Sequence, residues 1–235
     1  MDIETVTVEP LQDCAVADEI TLVHTRAFAV GVDVGQAHDP TAICIVSRVE
    51  SRTLNPMLAQ LNPYKAPRYE VQHLERLPLG KAYPQQVDRV EQLMLRPPLV
   101  QPTAALLIDY TGVGRPVFDM FAQSRALRYV QGVVITSGRD TTHTHAGWAV
   151  PKGELVSRLQ ALLHAGRLRI AARLPDAAVL ARELQDFRVR FTEAGNATFN
   201  AREGAHDDLV LALALAVFGL GRPKIATELA VRWAR

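Results

Sequence analysis

From Leu209 to Leu220 the chain carries no polar side chain, and the run is preceded directly by His206, Asp207 and Asp208. A helix that is apolar on every side has no face to give to water, so protein must surround it. At this length it is too short to cross a bilayer. The rest of the chain therefore has to wrap it. With 235 residues and a hydrophobic content of 48% it has the material for one sizeable α/β core. We read a single domain, 1–235, with its core at about 26–220 and short tails at both ends.

The wrapping material begins with two near-continuous apolar runs, RAFAVGVDV (26–34) and TAICIVSRV (41–49), as expected of central strands covered on both faces. The proline-bearing stretch 51–67 reads as a loop, and YEVQHLERLPL (69–79) as a third strand. Three strands in succession without helices between them pair antiparallel. The pattern then changes to a helix at 84–96, a strand at 103–112, a helix at 115–127 and a strand at 128–138, an alternation that implies parallel pairing. Residues 137–149 (SGRDTTHTHAGWA) show no periodicity and read as a long, mobile connection. A helix over 152–165, a short strand RLRIA, a helix over 175–187 and a hairpin (188–201) turned at Ala-Gly-Asn complete the chain before the apolar helix. The expected architecture is a mixed sheet of about five main strands flanked by helices, with an extra hairpin. Neither internal repeats nor low-complexity tracts are present.

Charge is uninformative in total and informative in place. The formal net charge is +1, yet residues 110–173 hold nine Lys or Arg against three acids. Both a solvated face and an anion-binding surface fit that segment. Cys14 and Cys44 are too few for a disulfide scaffold or a four-cysteine zinc site, and Cys44 reads as a small buried hydrophobe. The start, MDIETVTVEP, lacks the layout of a signal peptide, so a soluble cytoplasmic protein with no membrane partner is expected.

The acids sit at informative places. Asp33 ends the first strand run. Asp109 ends the apolar run ALLID, and Asp207 and Asp208 open the buried helix. Ligands of mixed α/β sheets lie beyond strand ends and at helix N-termini, so these three segments can converge. A carboxylate ending a buried strand is costly unless neutralised, and a divalent cation with a preference for hard oxygen ligands, Mg²⁺ or Mn²⁺, does this well. Taken singly, each residue has a plainer reading: Asp33 and Asp39 as turn residues, Asp207 as an N-cap, Asp208 as a partner of the helix dipole.

Together, GVDVGQAHDPTAI, LLIDYTGVGRPVFDMF and HDDLVLALALAVF resemble the nuclease domain of the large terminase subunit of tailed bacteriophages, within the RNase H-like superfamily. The resemblance extends through PLGKAYPQQVDRVEQLM, the VPKGELVSRLQALL helix and the hairpin before HDD, most of residues 28–220. It implies an RNase H-like fold and cleavage of double-stranded DNA by two-metal phosphodiester hydrolysis with two Mg²⁺ or Mn²⁺ ions. Asp33, Asp109 and Asp208 would be the catalytic, metal-binding carboxylates. Asp39 and Asp207 would be auxiliary ligands or groups that orient them. His206 would tune or touch the site. Lys152, Arg139 and Arg158 are candidates for phosphate contacts, which position DNA without reading its sequence. Implied partners are an ATPase domain or subunit, a small terminase and a portal protein, in the cytoplasm of a host cell. The 235 residues contain no GxxxxGK[ST] stretch, so no ATPase domain is expected, and both an excised domain and a stand-alone relative fit.

Smaller features have plain readings. Gly112 and Gly114 permit a tight strand-to-helix turn, His143 and His145 are loop residues, and Trp148 is a packing anchor. Two other classes share parts of the pattern. A junction-resolving nuclease would use the same carboxylates on branched DNA. An actin-like kinase would use the D-x-G turn at Asp33 to hold phosphate, but needs two such lobes. A DNA-binding module with a decayed site is disfavoured, because every expected acid is present.

Overall fold

A computed structural model describes residues 2–7, 19–35, 39–53, 66–100, 104–127, 129–186, 188–191, 197–200 and 207–221. The elements in chain order are β1 (Asp2–Thr7), β2 (Glu19–Asp33), β3 (Ala42–Thr53), β4 (Arg68–Arg76), α1 (Tyr83–Met94), β5 (Ala105–Asp109), α2 (Arg115–Gln123), β6 (Val130–Thr136), β7 (Thr142–Thr144), β8 (Gly147–Pro151), α3 (Lys152–His164), β9 (Leu168–Ile170), α4 (Ala177–Asp186), β10 (Arg188–Phe191), β11 (Ala197–Asn200) and α5 (Asp208–Leu220). One mixed sheet runs in the order β7-β8-β6-β5-β2-β3-β4-β9, with β1 paired to the first half of β2. The five consecutive strands β6-β5-β2-β3-β4 are those expected from the apolar runs. β2, β3 and β4 pair antiparallel, and β2, β5 and β6 pair parallel.

The sheet is larger than expected in two places. Residues 137–149 are not an unstructured connection. They hold β7 and β8, which pair antiparallel while β8 pairs parallel with β6. Periodicity could not show this, because β7 is Thr-His-Thr and β8 spans only five residues. Gly147 carries it: its φ is +148°, and a Cβ there would lie 2.2 Å from the Gly132 carbonyl oxygen, so only glycine fits between β8 and β6. At the other end, β2 begins at Glu19 rather than near 26, and β1 lies where a tail was expected. β10 and β11 pair as the expected hairpin, while its Ala-Gly-Asn turn and His206 lie outside the described residues.

Two cores flank the sheet, and strand alternation assigns each side chain to one of them. Val30, Val32, Ile43, Ile45, Leu106 and Ile108 pack with α1 and α2 on one face. Ala29, Cys44, Leu107 and most of the apolar residues of α5 share the other. Every residue of α5 is buried, as its composition demands. Its approach to the sheet depends on Gly31: a Cβ there would lie 2.1 Å from the Ala212 carbonyl oxygen and 2.7 Å from the Ala216 amide nitrogen. Further back, Gly219 lies over Leu107 and Ala29. The helix thus runs along β2 in reverse, Gly219 over Ala29 and Ala212 over Gly31. One turn before Ala212, at the carboxyl end of the strand, stands Asp208. Among the described residues, no helix is long and apolar enough to cross a membrane.

Candidate metal centre

Residues 29, 31 and 33 of β2 share the α5 face, as do 105, 107 and 109 of β5. The parallel register sets Asp33 beside Asp109. The same row continues through Ala42 of β3 to Arg76 of β4 on one side, and to Val133 of β6 on the other. Two carboxylates on neighbouring strands therefore meet beneath the first turn of α5, with a guanidinium two strands away.

The four aspartates brought together divide into two pairs. The Asp33 side chain makes no hydrogen bond or ion pair among the described residues. Burial first, then the charges of Asp109, Asp208 and Asp207, hold its pKa well above the usual carboxylate range, and Lys152 opposes them. Asp109 is buried and its pKa is also raised, chiefly by burial. The hydrogen bonds from Thr111 and the charge of Lys152 work the other way, and Asp207 adds to the rise. The helix-start pair is neutralised by basic residues. Lys152, at the start of α3, donates from Nζ to Asp207 Oδ2 at 2.7 Å. Arg76 donates from Nη2 to Asp208 Oδ2 at 2.9 Å.

Arg76 also bridges to Glu183 of α4, a buried carboxylate. Glu183 Oε2 in turn accepts the backbone N–H groups of Leu209 and Val210 at 3.1 and 3.2 Å. Asp207 occupies the N-cap of α5 but makes no capping hydrogen bond. Glu183 caps the helix from outside, which leaves the Asp207 carboxylate to Lys152. Burial pushes the Glu183 pKa up to about 7 against the pull of Arg76.

The segment leaving Asp33 is also fixed. The Gly35 N–H donates to Thr41 Oγ1 at 3.0 Å. The Thr41 hydroxyl lies 2.7 Å from Gln86 Oε1, and Gln86 Nε2 donates to the Gly35 and Lys81 carbonyls. Gln86 is buried in α1, so this polar cluster ties the end of β2 to the opposite layer. A Cβ on Gly35 would meet the Asp39 carbonyl oxygen at 2.0 Å, so the turn closes only with glycine there. Asp39 itself is exposed.

The basic candidates fall in different places. Lys152 is a counter-ion of the acidic cluster. Arg158 donates to Glu154 Oε1 at 2.7 Å and lies over the Phe218 ring. Arg139 is exposed beyond the carboxyl end of β6, the same end of the sheet as Asp109. Gly114 precedes α2 with φ +81°, and Trp148 packs edge-on against His143 and Phe218.

Among the described residues, no three His, Cys, Asp or Glu side chains already stand grouped to hold a metal ion. Asp207 and Asp208 are engaged by Lys152 and Arg76. The donor set still fits Mg²⁺ or Mn²⁺: it is all carboxylate oxygen, and its strand-end half sets the buried Asp109 beside the half-buried Asp33, whose pKa the Asp109 charge raises. Arg76, Glu183 and Thr111 had escaped the sequence reading. Glu183 alone left a trace there, as an acid three residues after Leu180 on an otherwise apolar helix face.

Solved structures share this architecture. The large terminase nuclease of thermophilic phage G20c with bound magnesium superimposes with a TM-score of 0.55, at 21% identity over 81% of this chain and 80% of that one. Its cobalt-bound form gives 0.54 at 21% identity over the same shares. The chain has the fold of a large terminase nuclease domain. The nuclease domain of the Thermus phage P74-26 large terminase, at 20% identity, covers 81% of this chain and 78% of its own with a TM-score of 0.50. No protein-family model matches the sequence, and no curated protein matches it.

Proposed function

We propose that the protein is a divalent-metal-dependent endodeoxyribonuclease of the terminase kind, which cuts double-stranded DNA during packaging. The observation that carries this reading is the register pairing of Asp33 with Asp109 under the start of α5, where the charges of Asp207 and Asp208 are felt. The terminase nuclease fold of metal-bound neighbours supports it.

Asp33 and Asp109 would hold the metal, joined by Asp208, with Asp207 and Asp39 as auxiliary ligands. Two bound Mg²⁺ or Mn²⁺ ions would activate a water and stabilise the leaving oxygen of an in-line phosphodiester displacement. The chain's own contribution is to hold the carboxylates where their repulsion is relieved by a cation. The raised pKa values of Asp33 and Asp109 mean that protons compete with a cation for them more strongly than for ordinary carboxylates. Glu183 and Arg76 keep the first turn of α5 fixed, and Asp208 stays in reach of the strand ends. Arg139, at the same end of the sheet, would contact a DNA phosphate, as would Lys152 once a cation replaces it at Asp207.

The test is cleavage of supercoiled plasmid and linear duplex in MnCl₂ or MgCl₂, with an EDTA control. Metal-dependent nicking and linearisation that vanish on Asp33→Asn support the proposal. Equal cleavage in excess EDTA, or full activity of Asp33→Asn, rules it out.

A further inference from the structure

Thr111 stands two residues beyond Asp109, where β5 gives way to the turn before α2. Its backbone N–H donates to Asp109 Oδ1 at 2.8 Å, and its hydroxyl reaches the same oxygen. That hydroxyl is also fixed from the other side, because the Ile135 N–H of β6 donates to Thr111 Oγ1 at 2.7 Å. A hydroxyl has one hydrogen to give. With the Ile135 N–H supplying a hydrogen to its oxygen, the Thr111 proton is directed at Asp109. Two donors thus clamp one carboxylate oxygen, and the clamp is anchored to the neighbouring strand. Asp109 Oδ2 has no hydrogen-bond partner among the described residues. Asp33, its register neighbour, has no comparable clamp.

We propose that Thr111 is a positioning residue that fixes the Asp109 rotamer, so that one carboxylate oxygen is held by the protein and the other is presented for a divalent cation. This rests on the metal-nuclease reading above and adds a residue to it. Groups that orient a ligating carboxylate typically change metal affinity by about 10–100-fold when removed. Thr111 is exposed, so replacing it disturbs no core packing. Valine keeps the shape and the backbone N–H and loses the hydroxyl. Serine keeps the hydroxyl and loses only a methyl group.

The experiment is Mn²⁺ binding by isothermal titration calorimetry to the wild-type chain, Thr111→Val and Thr111→Ser, with metal-free thermal midpoints recorded alongside. The expected result is Mn²⁺ affinity about 10-fold weaker in Thr111→Val and restored to within about twofold in Thr111→Ser, with the three metal-free midpoints close together. A purely structural role would move the midpoint of Thr111→Val and leave its affinity for Mn²⁺ alone. Wild-type affinity in Thr111→Val, or an equal loss in Thr111→Ser, overturns the proposal. Absence of Mn²⁺ binding by the wild-type chain is a different failure, since it removes the metal-nuclease reading itself.

Discussion

The strand-end pair, Asp33 and Asp109, and the helix-start pair, Asp207 and Asp208, face the same site but are held in opposite ways. The helix-start pair is held by ion pairs to Lys152 and to Arg76, which Glu183 shares. The strand-end pair has no ion pair among the described residues, and burial raises both of its pKa values, helped by the charge of Asp109 at Asp33 and by that of Asp207 at Asp109. One half of the site is stable as it stands, and the other half is poised for a cation. Ligand-binding sites commonly carry such local cost, and the surrounding fold supports it.

The largest expected effect comes from breaking the poised half. Asp33→Asn removes a charge from the repelling pair, so cleavage in Mn²⁺ should fall by about 10³-fold, while the metal-free protein becomes more stable. Relief on the order of 1 kcal/mol would raise the thermal midpoint by about 2–4 °C. Plasmid nicking and a melting curve on one preparation check both signs. A loss of activity accompanied by a lower midpoint would argue against repulsion at Asp33.

Next comes the helix that brings the two halves together. Gly31→Val would drive side-chain atoms into the backbone of α5 at Ala212 and Ala216, so the fold should lose about 1–3 kcal/mol in denaturant unfolding. Glu183→Ala acts on the neutralised half alone. It leaves the Leu209 and Val210 N–H groups without their acceptor and Arg76 with Asp208 as its remaining carboxylate, at a cost of about 1–3 kcal/mol, read in the same way.

The smallest effects concern charge balance. Lys152→Met removes a cation from the site, so Mn²⁺ affinity should rise by a few-fold in calorimetry. Metal-free stability should drop by no more than about 1 kcal/mol, since the pair is partly exposed. The pH dependence has a definite sign. Glu183 has a folded pKa of about 7 against an ordinary 4.5, and Asp33 and Asp109 are raised above 3.8. In each case the folded state holds its proton more tightly than the unfolded state. The penalty of ionisation is therefore largest above pH 7 and fades as pH falls toward about 5. The metal-free protein should become more stable from pH 8 to pH 5, and Mn²⁺ binding should weaken over the same range.

Much of this was legible in the sequence wherever composition forces the outcome. The run after Asp208 has no polar face, so α5 had to be central, and the two valine- and isoleucine-rich runs had to be its covering strands. Asp33, Asp109 and Asp208 stood out because each interrupts or opens an apolar run. What stayed hidden depends on partners distant in sequence. Thr142–Thr144 carries no strand pattern and is held by its pairing with β8. Arg76 reads as the polar end of a strand until register aligns it with Asp33 through Ala42. Glu183 shows its role only when α4 meets the first turn of α5. Lys152 and Arg158 were expected to meet phosphate, and their nearest partners are Asp207 and Glu154.

The most direct test of the division between the two halves is a Mn²⁺ titration of the wild-type chain, Asp33→Asn and Asp109→Asn by calorimetry at pH 8. The expected result is stoichiometric binding by the wild-type chain and its loss in both variants, with metal-free folds intact. Undiminished Mn²⁺ binding by Asp33→Asn and Asp109→Asn would contradict it.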